Sequence, residues 1–284
     1  MGVLQRLQKQ YDKALANFEK ALIIKPDFID ALTYITLVYI AKDELDKAII
    51  RCDRNLEKTH DKPEIAARVY NLKGQIYLAQ DNIPEAKNSY TMALEKDPDF
   101  LAPYHMLATI YLLENRQEQA IAQYQKILEK NPNQARPHMI LGTIYDLQQR
   151  FDLSEIHYRN ALRINPEFGP AANNLAYILA THNKNIDEAL GFAQVAKEQL
   201  PDDPYVMDTL GWIYYHKGFY DFAIVEFSDS LEKIPENPIF TYHLGMAYYK
   251  KGDRKKARAE LEKALRLDES FAGADEARKV LAEL

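Results

Sequence analysis

One residue of the 284 is tryptophan, and it stands among groups suited to binding. Trp212 lies in the run DTLGWIYYHKG, residues 208–218, with Asp208, Tyr214, Tyr215 and His216. On a helix, Asp208, Trp212 and Tyr215 fall at i, i+4 and i+7 and share a face, while Leu210, Ile213 and Tyr214 point largely elsewhere. Tyr and Trp give large contact area at low entropic cost, and their polar tips bond to peptide backbone. The chemistry of that face is recognition rather than bond-making.

Catalytic constellations are missing from the sequence. It contains no G-x-x-x-x-G-K-[ST] loop, no G-x-G-x-x-G, no G-x-S-x-G elbow and no H-E-x-x-H. The seven histidines, His60, His105, His138, His157, His182, His216 and His243, are dispersed, with no two at i, i+4. They read as exposed or groove-lining residues, and the many carboxylates as solvated helix faces. The lone Cys52 excludes an internal disulfide framework and a cysteine zinc site. A net charge of −6 without a basic domain argues against general nucleic-acid binding. Residues 250–266 hold eight basic and three acidic side chains, and read as the wet side of a repeat laced with i, i+4 pairs such as Glu262 with Arg266. No apolar run approaches the ~18 residues that span a bilayer. The opening MGVLQRLQKQ has no signal-like stretch. The expectation is a chain that is not an enzyme, with no cofactor, no metal and no small-molecule substrate.

The positioning elements follow from an internal repeat. Ten glycines against 19 tyrosines, with abundant Ala, Leu, Lys, Glu and Gln, favour helix over sheet. A small residue recurs at Gly74, Ala108, Gly142, Ala176, Gly211 and Gly245, at intervals of 34, 34, 34, 35 and 34. A second ladder runs through Ala14, Ala48, Ala86, Ala120, Ser154, Ala189, Ala223 and Ala257, in phase with the first. Tyr39, Tyr77, Tyr111, Tyr145, Tyr214 and Tyr248 fill one aromatic slot; Phe18, Tyr90, Tyr124, Tyr158 and Phe227 fill another. Pro26, Pro98, Pro132, Pro166, Pro201 and Pro235 close units. Small residues let two helices approach, rings fill the space beside them, and proline ends the second helix.

With L-G-x-x-Y, A-x-x-x-F and a late proline every 34 residues, residues 1 to about 271 resemble the tetratricopeptide repeat (TPR) family. The resemblance implies an all-α, right-handed superhelical solenoid of about eight helix-turn-helix repeats. The first, about 1–28, is partial, because its first helix begins about six residues late. The others are about 29–66, 67–100, 101–134, 135–168, 169–203, 204–237 and 238–271, followed by a capping helix over 272–284 whose stripe is Ala277, Val280, Leu281 and Leu284. One domain, 1–284, is expected. The partial first repeat leads to the expectation of a parent protein continuing upstream. Four extra residues in the second unit predict an extra helical turn or a bent junction near 59–64. Leu179 and Ala193, in slots where rings are usual, predict a loosely filled sixth unit with a longer turn, THNKNID.

In the TPR family the first helix of each repeat lines the concave surface, which the resemblance therefore assigns to Trp212. Repeat arithmetic adds its neighbours, giving a wall of Asn173, Tyr177, Tyr205, Asp208, Trp212, Tyr215, Tyr242, Met246 and Tyr249. A more polar secondary stretch holds Arg68, Asn71, Gln75, His105, Arg136 and Asp146, with Thr109, Met139 and Thr143. Clustered Trp, Tyr and Met is the composition of an interaction hot spot, and the competing reading is rings stacking to stiffen adjacent repeats. The slots of a chaperone-tail clamp hold no lysine here, and of an asparagine ladder only Asn174 fits. Residues 169–284, with NNLAYILA, DTLGWIYYHKG and a terminal HLGMAYYKKGD, resemble bacterial cell-envelope and exopolysaccharide-export TPR proteins, the exosortase-associated lipoproteins among them. That resemblance implies a bacterial protein of the cell envelope, periplasm or cytoplasm. The expected function is a scaffold holding a partner peptide or helix in its groove. Two alternatives stay open: a regulatory or substrate-recruiting domain of a larger enzyme, and self-assembly through the incomplete N-terminal repeat.

Overall fold

The computed structural model describes residues 1–59, 61–182 and 185–284, and every regular element in them is a helix. The single run of repeats falls into two compact units, Met1–Pro132 and Asn133–Leu284. The first unit holds four hairpins: α1 (Gly2–Leu7) with α2 (Tyr11–Ile24), α3 (Ile29–Ala41) with α4 (Leu45–Lys58), α5 (Pro63–Ala79) with α6 (Ile83–Lys96), and α7 (Leu101–Leu113) with α8 (Gln117–Lys130). The second holds α9 (Ala135–Leu147) with α10 (Phe151–Ile164), α11 (Gly169–Thr181) with α12 (Ile186–Gln199), α13 (Pro204–His216) with α14 (Tyr220–Lys233), and α15 (Pro238–Lys251) with α16 (Arg254–Leu267). A last helix, α17 (Ala274–Glu283), follows. Eight pairs and a terminal helix are the expected element order.

Each slot has a visible cause. A Cβ on Gly142 would lie 2.6 Å from the Tyr158 ring and one on Gly211 2.7 Å from Phe227, so the ring occupies the volume that glycine vacates. Ser154 Oγ donates to the Gly142 carbonyl at 2.8 Å and ties the two ladders together in that hairpin. Second helices end at residues in extended or near-extended backbone, such as Lys25 (φ −136°, ψ 90°) and Asn165 (φ −133°, ψ 95°), each preceding a proline that disfavours helix at that position. Within hairpins the turn needs one left-handed residue, at Lys9, Asp43, Asp81, Asn115, Gln149, Gly218 and Gly252. Only the last two are glycine, so glycine spacing alone does not reveal the turn.

The four extra residues of the second repeat lengthen α5 to 17 residues against 13 in α7, which is the extra turn expected; His60 of that junction lies outside the described residues. The sixth unit is not loosely filled. Ala172, Ala176, Ala189, Ala193 and Leu179 are all buried, and small side chains on both helices fill the space by close approach where larger rings fill it elsewhere. Asn183 and Lys184 of its turn lie outside the described residues. The helix α17 starts at Ala274 instead of Ala272, because Gly273 takes φ +113° as its N-cap. A Cβ there would also meet the Tyr242 ring at 2.7 Å. The basic run from the end of α15 through α16 is solvated and paired, with Lys251–Asp221 at 2.5 Å and Arg266–Glu262 at 4.0 Å.

Candidate functional site

Four successive first helices of the second unit, α9, α11, α13 and α15, present one pocket of about 270 Å³. Its lining is Asp146, Asn173, Asn174, Tyr177, Tyr205, Asp208, Thr209, Asn237, Ile239 and Phe240. Five of these were singled out from the sequence, and Asp146, placed there in the polar secondary stretch, joins Asn173, Tyr177, Tyr205 and Asp208. Tyr205 is 56% exposed and Tyr177 37%. The Tyr205 ring meets Phe240 edge-on, with centroids 5.4 Å apart. Asn237 caps α15, its Oδ1 accepting from the amides of Ile239 and Phe240.

Hydrogen bonds fix the floor. Asp208 is buried and accepts from His243 Nδ1 at 2.8 and 3.0 Å through its two oxygens. Asn174 Nδ2 donates to Tyr158 Oη, which donates to Thr143 Oγ1, both at 3.2 Å. Asn173 Nδ2 donates to Asn174 Oδ1 at 3.4 Å, while the buried Asn173 Oδ1 has no partner among the described residues. Burial pushes the Asp146 carboxyl above its usual range, and the charge of His182 opposes that shift. Burial also raises the Tyr177 phenol; a hydrogen bond with Thr181 opposes the rise, and the fields of Asp208 and Asp146 add to it.

In the other half of the expected wall two side chains are buried and three are half-buried. Tyr242 and Met246 are buried in one cluster with Phe271, Ala274, Ala277 and Val280, against which Trp212, Tyr215, Tyr249, Leu281 and Leu284 pack. Trp212 lies between two rings, Tyr215 at 4.8 Å (interplanar 5°) and His243 at 4.0 Å (23°), with His216 edge-on at 4.8 Å. Tyr249 Oη donates to Glu283 Oε2 at 2.6 Å, which ties α15 to α17. Burial, with the field of Glu276, pushes the Tyr242 phenol up to about 12. Burial lowers His216, and the charge of His243 adds to that.

The polar stretch divides between the two units. In the first unit Arg68 and Gln75 are exposed, Asn71 is buried with Oδ1 unpartnered among the described residues, and His105 lies edge-on to Tyr124 at 5.9 Å. Arg136, in the second unit, is exposed. One pair escaped the sequence reading. His138 and His157 bring their Nδ1 atoms to 3.0 Å, and burial first, then the charge of His138, lowers His157 to about 4. The register that sets Tyr158 against Gly142 also sets His157 against His138, a spacing of 19 that an i, i+4 search passes over. Among the described residues no three His, Cys, Asp or Glu side chains are grouped to hold a metal ion.

Comparison with known proteins places the fold. A chain of the APC/C hetero-tetramer Cut9–Hcn1 superposes with TM-score 0.62 at 18% identity, over 96% of this chain and 52% of that one. YrrB, described as a TPR protein with an unusual peptide-binding site, superposes with TM-score 0.56 at 26% identity, over 68% of this chain and 99% of that one. PilF of Pseudomonas aeruginosa gives TM-score 0.61 at 20% identity over 76% of this chain and 98% of that one. Among curated sequences, the STIP1 homolog of Dictyostelium discoideum is 28% identical over 93 residues, 32% of this chain and 16% of that protein. The chain therefore spans about half the length of one relative and under a fifth of another. Sequence models described as tetratricopeptide repeat match residues 6–76, 77–144, 141–204 and 239–271. Repeat ladders, helix pairs and matched segments agree, and the chain belongs to the tetratricopeptide repeat family.

Proposed function

We propose that this protein is a non-enzymatic scaffold whose second unit receives an extended segment of a partner protein in the pocket between α11, α13 and α15. The observation that carries this reading is a pair of exposed tyrosines on the neighbouring first helices α11 and α13. Tyr177 and Tyr205 stand open beside the amides of Asn173 and Asn174, with a buried amide oxygen left unpartnered. Amide side chains bond to peptide backbone, and exposed tyrosines supply apolar area with little entropy to lose. The peptide-binding site in the description of YrrB, 26% identical over 68% of this chain, supports the same class of ligand. The resemblance of residues 169–284 to envelope and export TPR proteins supports an assembly role in a bacterial envelope. The test is affinity capture from a bacterial lysate, with the parent beside an Asn173→Ala, Tyr205→Ala variant of unchanged circular dichroism. The reading expects at least one protein held by the parent and lost by the variant; identical captures contradict it.

A second reading has its own support. Leu4, Leu7, Ile23 and Ile24 are 56, 66, 75 and 86% exposed in the first hairpin, an apolar surface suited to self-association. Sedimentation equilibrium across a concentration series tests it: a mass that stays at the monomer value removes it.

A further inference from the structure

We infer that the segment taken by this pocket presents a lysine or arginine side chain, whose charge lies against Asp146 and whose stem runs along Tyr205. The inference rests on the proposed function and names the chemistry of the partner.

The pocket lining contains two carboxylates and no lysine or arginine. Asp208 already has the His243 ring against it. Asp146 is half-buried and makes no hydrogen bond or ion pair among the described residues; His182 acts on it only through space. A partly desolvated carboxylate without a donor is costly, and a cation arriving from a ligand removes that cost. The raised pKa of Asp146, which comes first from burial, reports the same unmet need. The fields of Asp146 and Asp208 both reach the Tyr177 phenol, so the two charges act on one small volume. Beside it stands the exposed Tyr205 ring, braced edge-on by the buried Phe240, the surface on which the methylenes and head of a long cationic side chain settle. Asn173 Oδ1 is an acceptor in want of a donor, and ammonium and guanidinium groups carry only donors. At about 270 Å³ the pocket falls below the ~300–1,000 Å³ of sites that enclose a whole small ligand, and suits one side chain with its adjoining backbone.

The experiment is selection of capped nonapeptides, randomised at the three central positions, on the full chain. Anisotropy of a labelled winner follows. The expected result is enrichment of Lys or Arg at one position. Replacing that residue with uncharged citrulline or norleucine weakens binding by about tenfold, as does Asp146→Asn in the protein. The peptide-side replacement leaves the protein unaltered, so the result does not depend on how a variant folds. Enriched peptides that carry no cation, or a citrulline or norleucine peptide that binds as well as its parent, overturn the inference and leave the scaffold reading standing. Free spermidine binding as tightly as the peptide overturns the peptide as occupant. If no peptide is enriched, the scaffold reading falls, and this inference with it.

Discussion

Two stretches of the surface built by the first helices α11, α13 and α15 meet different fates. Tyr177 and Tyr205 stay exposed, while Tyr242 and Met246 are buried and Trp212 is half-buried against them. Residue type does not separate them, since both are rich in tyrosine and occupy equivalent repeat slots. The difference is the neighbour. Phe271, Ala274, Ala277 and Val280, from α17 and the segment before it, bury Tyr242 and Met246, and the rings of Tyr215 and His243 hold Trp212 between them. An aromatic at a groove slot is available to a partner only where the following elements leave it uncovered.

The sharpest way to break the comparison is to truncate one ring in each half. Trp212→Ala removes a side chain packed on two rings and is expected to cost about 3 kcal/mol in urea unfolding. Tyr205→Ala, at an open position, is expected to change stability by less than about 0.5 kcal/mol. Equal losses would erase the distinction. Next in size, Asp208→Ala leaves the His243 ring buried without its acceptor, at a cost of about 2 kcal/mol by the same measurement. A loss near zero would show that the pair does not order the pocket floor.

Acidification acts on two histidines. His216 and His157 have pKa values lowered by burial, His157 to about 4 against 6.5 unfolded. The unfolded chain therefore takes up these protons first. The stability they support is complete above pH 6.5 and is lost as pH falls towards 4. The urea midpoint, followed through the fluorescence of the single tryptophan, is expected to drop across that window. His157→Phe is expected to flatten the drop, and an unchanged slope would remove the assignment. The smallest effect belongs to the open half. Asp146 has a raised pKa, so its folded form gains stability at low pH and loses it as pH rises through that value. At neutral pH the charge is a cost, and Asp146→Asn is expected to leave stability equal or higher by a few tenths of a kcal/mol. A clear loss would mean that the carboxylate has a structural partner.

The ladders of Gly142, Ser154 and Tyr158 made the hairpins legible in advance, because each slot is a steric demand that few residue types meet. They also brought Asn173, Tyr177, Tyr205 and Asp208 to one face by arithmetic. They did not separate open from closed, since burial by α17 depends on Gly273, which lies outside the 34-residue pattern. Asp146 was assigned to a different stretch because slot equivalence ranks residues by repeat, while a pocket gathers them from several. The His138–His157 contact was missed for a related reason: it crosses a hairpin, and only the register of the two ladders reveals it.

The central claim is that partner binding lies at the open half while Trp212 serves the fold. The most direct measurement is the affinity of the selected peptide for Tyr205→Ala and Trp212→Phe, each first shown to keep the parent's circular dichroism. The account predicts a loss of about tenfold for Tyr205→Ala and parental affinity for Trp212→Phe. The reverse, with Trp212→Phe losing the peptide and Tyr205→Ala retaining it, would place the partner on the tryptophan and contradict the account.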